Sequence, residues 1–198
     1  MIGIIGAMEE EVAALKSEMA DAKVTEFASM TFYKGTLCGK DVVVVRSGIG
    51  KVNAAICAQI LVDKFGVDTL INTGIAGSLD ARIDIGDMVI STDAVHHDMD
   101  ATIFGDAIGQ VPRMDTRTFP ADPHLVELAV KANEKANPQI HTFTGRVASG
   151  DQFISSGEVK ARIVENFQAL CTEMEGAGIA HAAYLNKVSY VIIRAISD

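Results

Sequence analysis

Short apolar runs, mostly rich in β-branched residues and bounded by glycine or aspartate, alternate along this chain with helix-length stretches. That alternation constrains the fold more than any other feature. The runs are Ile2–Gly6, Val42–Arg46, Thr69–Thr73, Met88–Ser91, Thr142–Ala148 and Ser189–Ile196. Their length and branching read as buried strands. Helical stretches lie at Glu9–Met19, Val52–Phe65, Pro123–Ala136, Glu158–Phe167 and Gly176–Leu185. The pattern predicts an α/β sandwich with helices on both sides of a largely parallel or mixed sheet. In such folds ligands gather at the carboxyl ends of the strands, so residues that follow strands carry the functional interest. At 198 residues the chain suits a single domain, residues 1–198.

Composition narrows the partners. The formal charge of −9 argues against nucleic acid, whose affinity comes mainly from Lys and Arg on phosphates, and suits a neutral or zwitterionic small molecule. The opening MIGIIGAMEEEV turns acidic after a few apolar residues, unlike a signal peptide or membrane anchor, so the expectation is a cytoplasmic protein with no membrane partner. Cys38, Cys57 and Cys171 are odd in number and lack CxxC spacing, which points to buried free thiols rather than disulfides or zinc.

Seven segments follow strands and carry polar or glycine-rich chemistry. In Ile4–Glu11 a strand runs into a helix opening with three acids. On a helical wheel Met8, Val12, Leu15 and Met19 form an apolar stripe, with Glu11 about 70° from its centre, at the margin where it faces a cleft. The plainer explanation is that first-turn acids complement the helix dipole. Ser47-Gly48-Ile49-Gly50-Lys51 has Gly-x-Gly before a helix but no third glycine in register, so a tight turn is favoured over a dinucleotide fingerprint. Small residues in Thr73–Leu79 leave room above the sheet for a flat ligand such as a purine or ribose, or form a structural turn. His96-His97-Asp98-Met99-Asp100 stands alone and reads as a hydrogen-bonded turn rather than a metal site.

The remaining three segments lie in the C-terminal third. Ser149–Ile154 sets Phe153 beside free backbone groups, suited to stacking on a base or to plain core packing. Glu173 and Glu175 are two apart in an extended stretch before a helix of small residues, hence on one face. Burying Glu175 with so little polar company calls for a partner such as a ligand hydroxyl, unless it serves the helix dipole. Finally, the apolar strand Val191–Ile196 ends in Ser197-Asp198, where an aspartate with a raised pKa acts as a general acid, or else lies on the surface as terminal residues do.

Together GIIGAMEEEV, SGIGKVNAA, INTGIAGSL, HHDMDATIFG, SGDQF, TEMEGAGIAH and VIIRAISD, in order from residue 2 to 198, resemble the 5′-methylthioadenosine/S-adenosylhomocysteine nucleosidases of the nucleoside phosphorylase superfamily. The resemblance implies a three-layer α/β/α sandwich with a central mixed, partly barrel-like sheet, a homodimer, and no cofactor or metal. It implies hydrolysis of methylthioadenosine, S-adenosylhomocysteine and 5′-deoxyadenosine to adenine and the substituted ribose. By motif match Glu11 orients or deprotonates the attacking water, and Asp198, assisted by Ser197, supports protonation of adenine N7. Glu175 holds the ribose hydroxyls beside Met174, and Phe153 with the Ile154 backbone holds the base. Met8, Ile49 and the Ala76-Gly77 backbone line the rest of the pocket, with Phe104 contributed from the dimer region. The position two after Phe104, commonly aromatic in that family, is Asp106 here. The family continues past the RAISD motif into a further helix that closes the pocket, so the expectation is a domain lacking that helix, with Asp198 at a frayed end.

This division of labour also makes physical sense. Adenine leaves poorly as an anion, so an acid at its ring nitrogen lowers the barrier; the sugar becomes cationic, and carboxylates stabilise it. Phosphorolysis is disfavoured because Glu9, Glu10 and Glu11 put negative charge where phosphate would need cations. Two other readings keep the scaffold: a hydrolase for another adenine nucleoside of the futalosine type, and a non-catalytic nucleoside binder.

Overall fold

A computed structural model describes all 198 residues. The order is β1 (Ile2–Gly6), α1 (Glu9–Glu18), β2 (Ala20–Phe27), β3 (Met30–Leu37), β4 (Lys40–Arg46), α2 (Lys51–Phe65), β5 (Thr69–Ser78), β6 (Met88–His96), β7 (Phe119–Pro120), α3 (Pro123–Ala136), β8 (Thr142–Ser149), α4 (Gly157–Phe167), β9 (Cys171–Glu173), α5 (Gly176–Asn186) and β10 (Ser189–Ile196), with a 3-10 turn at Thr102–Phe104. Every strand and helix expected from the apolar pattern is present.

The sheet is mixed and partly closed. β5 pairs with β10 in parallel, β10 with β6 antiparallel, β6 with β8 and β8 with β9 in parallel, and β9 returns antiparallel to β5, closing a five-stranded barrel. From β5 the sheet also opens outward through β1 and β4 in parallel and ends in antiparallel β3 and β2.

Strand alternation sorts the side chains into layers. Ile4, Val42 and Val44 pack with Val12 and Leu15 of α1 on one face. Ile5, Val43 and Val45, one residue out of phase, join Ala54, Cys57, Ala58 and Leu61 of α2 and Ala177, Ile179, Ala180 and Ala183 of α5 on the other. α4 covers β6 and β8 through Ile163 and Phe167 against Val95 and Ala148. This is the three-layer arrangement expected. No helix is long and apolar enough to cross a membrane.

Three features depart from the reading of the sequence. The β2–β3 hairpin carries too little apolar alternation to show, because β2 is an edge strand exposed along nearly its whole length. Its two-residue turn, Ala28-Ser29, takes positive φ at both positions without the usual glycine or asparagine. Second, the small residues of Gly74–Ser78 are no turn: β5 continues through them, paired to β10 as far as Ala76 and to β9 at Gly77 and Ser78. Their smallness serves close approach, since a Cβ on Gly74 would lie 2.2 Å from Arg194 Nη1. Third, Cys57 and Cys171 are buried, and burial pushes both thiols up, but Cys38 is exposed in the β3–β4 turn at φ 49°.

Where α2 crosses α5, a Cβ on Gly178 would lie 2.7 Å from the Lys51 carbonyl oxygen. Gly178→Ala is expected to destabilise the fold by about 1–3 kcal/mol in urea unfolding, as overpacked backbone contacts do. Gly157→Ala, whose Cβ would meet nothing within 4 Å, is expected to change stability by less than about 0.5 kcal/mol.

Candidate active site

β1, β4, β5 and β10, which run parallel to one another, and β8, which runs parallel to β6 and β9 instead, all contribute to one cleft of about 210 Å³. Ala7, Met8 and Glu11 come from the β1–α1 junction, Ile49 from the turn after β4, and Ile75, Ala76 and Gly77 from the second half of β5. Gln152, Phe153 and Ile154 follow β8; Thr172 to Glu175 span the β9–α5 junction; Ser197 and Asp198 follow β10. Every site residue expected from the sequence lines this cleft except Phe104, which lies on the 3-10 turn, is 85% exposed and does not reach the cleft of its own chain. Ala7, Ile75, Gln152 and Thr172 are further lining residues that the motifs did not single out.

No Lys, Arg or His lines the cleft, whereas Glu11, Glu173, Glu175 and Asp198 do. An ionised carboxylate offers about four lone-pair sites, and counting those in use separates the four by task. Glu11 is the third residue of α1. Its Oε2 accepts the backbone N–H of Ala7 (2.6 Å) and Met8 (3.0 Å), and its Oε1 accepts that of Ile75 (3.2 Å). Glu11 therefore does cap its helix, as the plainer reading held, and the same bonds fix it with one acceptor site left over. Gly6 and Gly74 make room for it: a Cβ at Gly6 would come within 2.9 Å of Glu11 Cβ, and one at Gly74 within 2.5 Å of Oε1.

Glu173 has nothing left over. It accepts from Ser149 Oγ, from the backbone N–H of Glu175 (3.1 Å) and Gly176 (2.8 Å), and from Arg194 Nη2. Glu175 is nearly as buried, at 4% exposure, but takes only the Gly50 N–H (2.9 Å), with Arg194 3.7 Å away. Burial and the charge of Glu173, against the opposing pull of Arg194 and the Gly50 N–H, push its carboxyl up to about 7. Its open acceptor sites face the cleft. Asp198 is half-exposed, accepts from Ser197 Oγ (2.9 Å) and stands 3.7 Å from Lys160. Its carbonyl is held by the Ser78 N–H at 2.7 Å, and a Cβ on Gly77 would come within 3.1 Å of Oδ2, so Asp198 is tied down at the cleft rather than frayed.

The sequence reading missed the group beneath the floor. Arg194, 1% exposed, donates through Nη2 to Glu173 and Asn72 (2.5 Å) and through Nη1 to the Ile75 carbonyl (3.3 Å). Asn72 in turn donates to the Ile5 carbonyl at 3.0 Å. A signal for them existed: an arginine inside the run Val191–Ile196 and an asparagine inside Leu70–Thr73 are polar groups in strands bound for the core, which calls for buried partners. The His96–Asp100 segment forms a hydrogen-bonded turn outside the cleft, with His96 Nε2 facing His181 Nδ1 at 3.3 Å and Asp98 paired to Lys51.

With this geometry in view, likeness to known proteins is informative. A family model described as the phosphorylase superfamily matches residues 1–198. A 5′-methylthioadenosine/S-adenosylhomocysteine nucleosidase of Staphylococcus saprophyticus is 46% identical over 200 residues, which covers all of this chain and 86% of that protein. Two solved structures superpose on the whole chain with a TM-score of 0.95. One is the Colwellia psychrerythraea nucleosidase of the same name in complex with adenine, at 46% identity and 81% of its length; the other is the Neisseria meningitidis nucleosidase in complex with methylthio-immucillin-A, at 40% identity and 85% of its length. The chain belongs to the phosphorylase superfamily and, within it, to the 5′-methylthioadenosine/S-adenosylhomocysteine nucleosidases.

Proposed function

We propose that this chain hydrolyses the N-glycosidic bond of 5′-methylthioadenosine and S-adenosylhomocysteine, releasing adenine and the 5-substituted ribose, in methionine salvage and methyl-cycle detoxification. The observation that carries this reading is a nucleoside-sized cleft holding three carboxylates with free acceptor sites and no basic side chain. Those carboxylates suit a sugar that becomes cationic as its bond to the base breaks. The missing cations disfavour phosphate as the nucleophile, because the one buried guanidinium is already committed to Glu173 and Asn72.

The surroundings of each residue support a role for it. Glu11, held by three N–H groups, directs its remaining acceptor site at a water and takes a proton from it as it attacks the sugar. Glu175 accepts from the ribose hydroxyls, which relieves the cost of its burial, and Met174 packs beside the sugar. Phe153, 78% exposed at the mouth, closes over the base by stacking while the Ile154 backbone reads its edge. Asp198, aligned by the Ser197 hydroxyl, delivers a proton to adenine N7 so that the base leaves neutral. Met8, Ile49 and the Ala76-Gly77 backbone complete the wall around the sugar and its 5′ substituent.

Two copies form the active unit in this reading. Asp98, paired to Lys51 at the start of α2, lies four residues before the Thr102–Phe104 turn, and Val52 and Ile56 of α2, like Ile103 and Phe104 of the turn, expose large apolar side chains that suit a second copy. Phe104, unable to line its own cleft, would reach the partner's. The reading also places the enzyme in the cytoplasm.

Adenine release from methylthioadenosine is expected to proceed equally with and without phosphate, followed by the absorbance change on base release. Glu11→Gln and Asp198→Asn are each expected to lower kcat/KM by about 10²–10⁴, the usual worth of positioned proton transfer. Dependence of release on phosphate would overturn the assignment.

Glu175 links the site to stability. A carboxyl raised to about 7 in the folded chain, against 4.5 when unperturbed, favours folding fully below the lower value and loses that contribution as pH rises through the higher one. The ligand-free Glu175→Gln variant lacks this loss. Its stability relative to the unsubstituted chain is expected to grow between about pH 5 and 7.5 in urea unfolding.

A further inference from the structure

Two walls of the cleft and the sugar-facing carboxylate are joined by a cluster that touches none of the space a nucleoside would fill. Asp98 stands at its centre, in the turn after β6, with its side chain 18% exposed. One of its oxygens, Oδ1, accepts from the Lys51 ammonium; the other, Oδ2, accepts the backbone N–H of Asp151 at 2.8 Å. Asp151 answers across the gap, its Oδ1 accepting the backbone N–H of Lys51 at 2.8 Å, the first residue of α2. The result is a reciprocal clamp in which each aspartate holds the other's neighbourhood and Lys51 is gripped by both its amide and its side chain.

What the clamp holds are two walls of the cleft. Asp151 immediately precedes Gln152, Phe153 and Ile154, the base-side wall. Lys51 immediately follows Gly50, whose N–H is the hydrogen-bond donor to Glu175, and lies two residues after Ile49. Gly50 itself sits at φ 97°, and a Cβ there would come within 3.1 Å of Asp151 Oδ1, so the turn is shaped to the aspartate. Neighbouring backbone gives the clamp a fixed base: His97 N–H donates to the Ser149 carbonyl at 2.9 Å, Gly150 N–H to the Glu173 carbonyl at 3.1 Å, and the His97 ring lies where a Cβ on Gly150 would stand, 2.4 Å away. Burial alone would raise the Asp98 carboxyl, but Lys51 and the Asp151 N–H outweigh it and hold the group below the ordinary carboxylate range, as a working ion pair requires.

Resting on the nucleosidase reading, we propose that Asp98, with Lys51 and Asp151, is a positioning residue for this site. It sets the base-stacking segment Gln152–Ile154 and, through the Gly50 N–H, the Glu175 carboxylate in one register. It acts on ground-state and transition-state binding alike by presenting the base wall and the sugar carboxylate already spaced for one nucleoside. Each partner reaches the cleft only through backbone, so its loss leaves every group that would touch substrate chemically intact.

The test compares Asp98→Ala, Asp98→Asn and Asp151→Ala with the unsubstituted chain, using methylthioadenosine for kinetics, adenine for calorimetric binding, and hydrogen exchange of the amides of residues 50–51 and 151–154. The clamp predicts about a tenfold rise in KM and in the adenine dissociation constant for Asp98→Ala. It also predicts faster exchange at both amide groups, partial recovery in Asp98→Asn, which can still accept the Asp151 N–H, and effects of Asp98→Ala and Asp151→Ala that do not add. Losing the Gly50 bond would also move the acidic limb of the pH profile of kcat/KM upward, a change that a merely structural aspartate would not cause. Unchanged KM, adenine affinity and exchange in Asp98→Ala overturn the proposal, as does a loss confined to thermal stability. Should Asp98→Ala fail to fold, Asp98→Asn and Asp151→Ala carry the same comparison. An unsubstituted chain that releases no adenine would sink the nucleosidase reading alone, leaving the clamp to be decided by the exchange pattern.

Discussion

The buried pair of Arg194 and Glu173 is the interaction on which the site depends. Taking two charges out of water is costly, and the attraction between them repays it only when their remaining donors and acceptors find partners. Here Asn72 of β5, the Ile75 carbonyl, Ser149 of β8 and the first N–H groups of α5 supply them. The pair thereby joins β10, β9, β8 and β5 and sets the start of α5 at one point under the cleft. Within the pair itself, Arg194 Nε is the side-chain atom left without a hydrogen bond. Because this guanidinium is spent internally, the cleft above it stays anionic, and that sign decides which nucleophile and which charge on the sugar it tolerates.

Four carboxylates around one cavity have different chemical prospects because their surroundings saturate them differently. Glu173 is full and serves as scaffold. Glu11 has one site open and is rigid, the property wanted in a group that aims a water. Glu175 is buried with sites open, so it gains most from a ligand hydroxyl, and its raised carboxyl records the cost of waiting without one. Asp198 is wet on one side and aligned on the other. Residue type and position along the chain do not separate these roles; the count of hydrogen bonds does.

Glycine does related work at β5, where the strand leaves the open sheet and enters the barrel. Gly74 lets Arg194 and Glu11 approach over the same face of the strand, and Gly77 lets Asp198 lie against it. A stretch that the sequence left open between a flat ligand surface and a turn is a strand stripped of side chains so that charged groups from β10 and α1 can meet over it.

Local periodicity was enough to reveal the strands and helices that form the core, because branched runs and apolar stripes must be buried wherever they fall in a fold of this kind. The motif residues at strand ends, Glu11, Phe153, Glu175 and Asp198, each carried a plain structural alternative until the family resemblance singled them out, and the topology of an α/β sheet gathers them at one cleft. The edge hairpin β2–β3 was not legible, since an exposed strand leaves no apolar trace. Nor was the difference between Glu173 and Glu175, two residues apart with the same side chain, or the placement of Phe104 outside its own cleft. Composition and pattern determined the architecture and the anionic character of the site, because these follow from what each residue prefers. Only the tertiary structure decided which carboxylates are spent and which are free, because that depends on donors brought from strands and helices far apart in the chain.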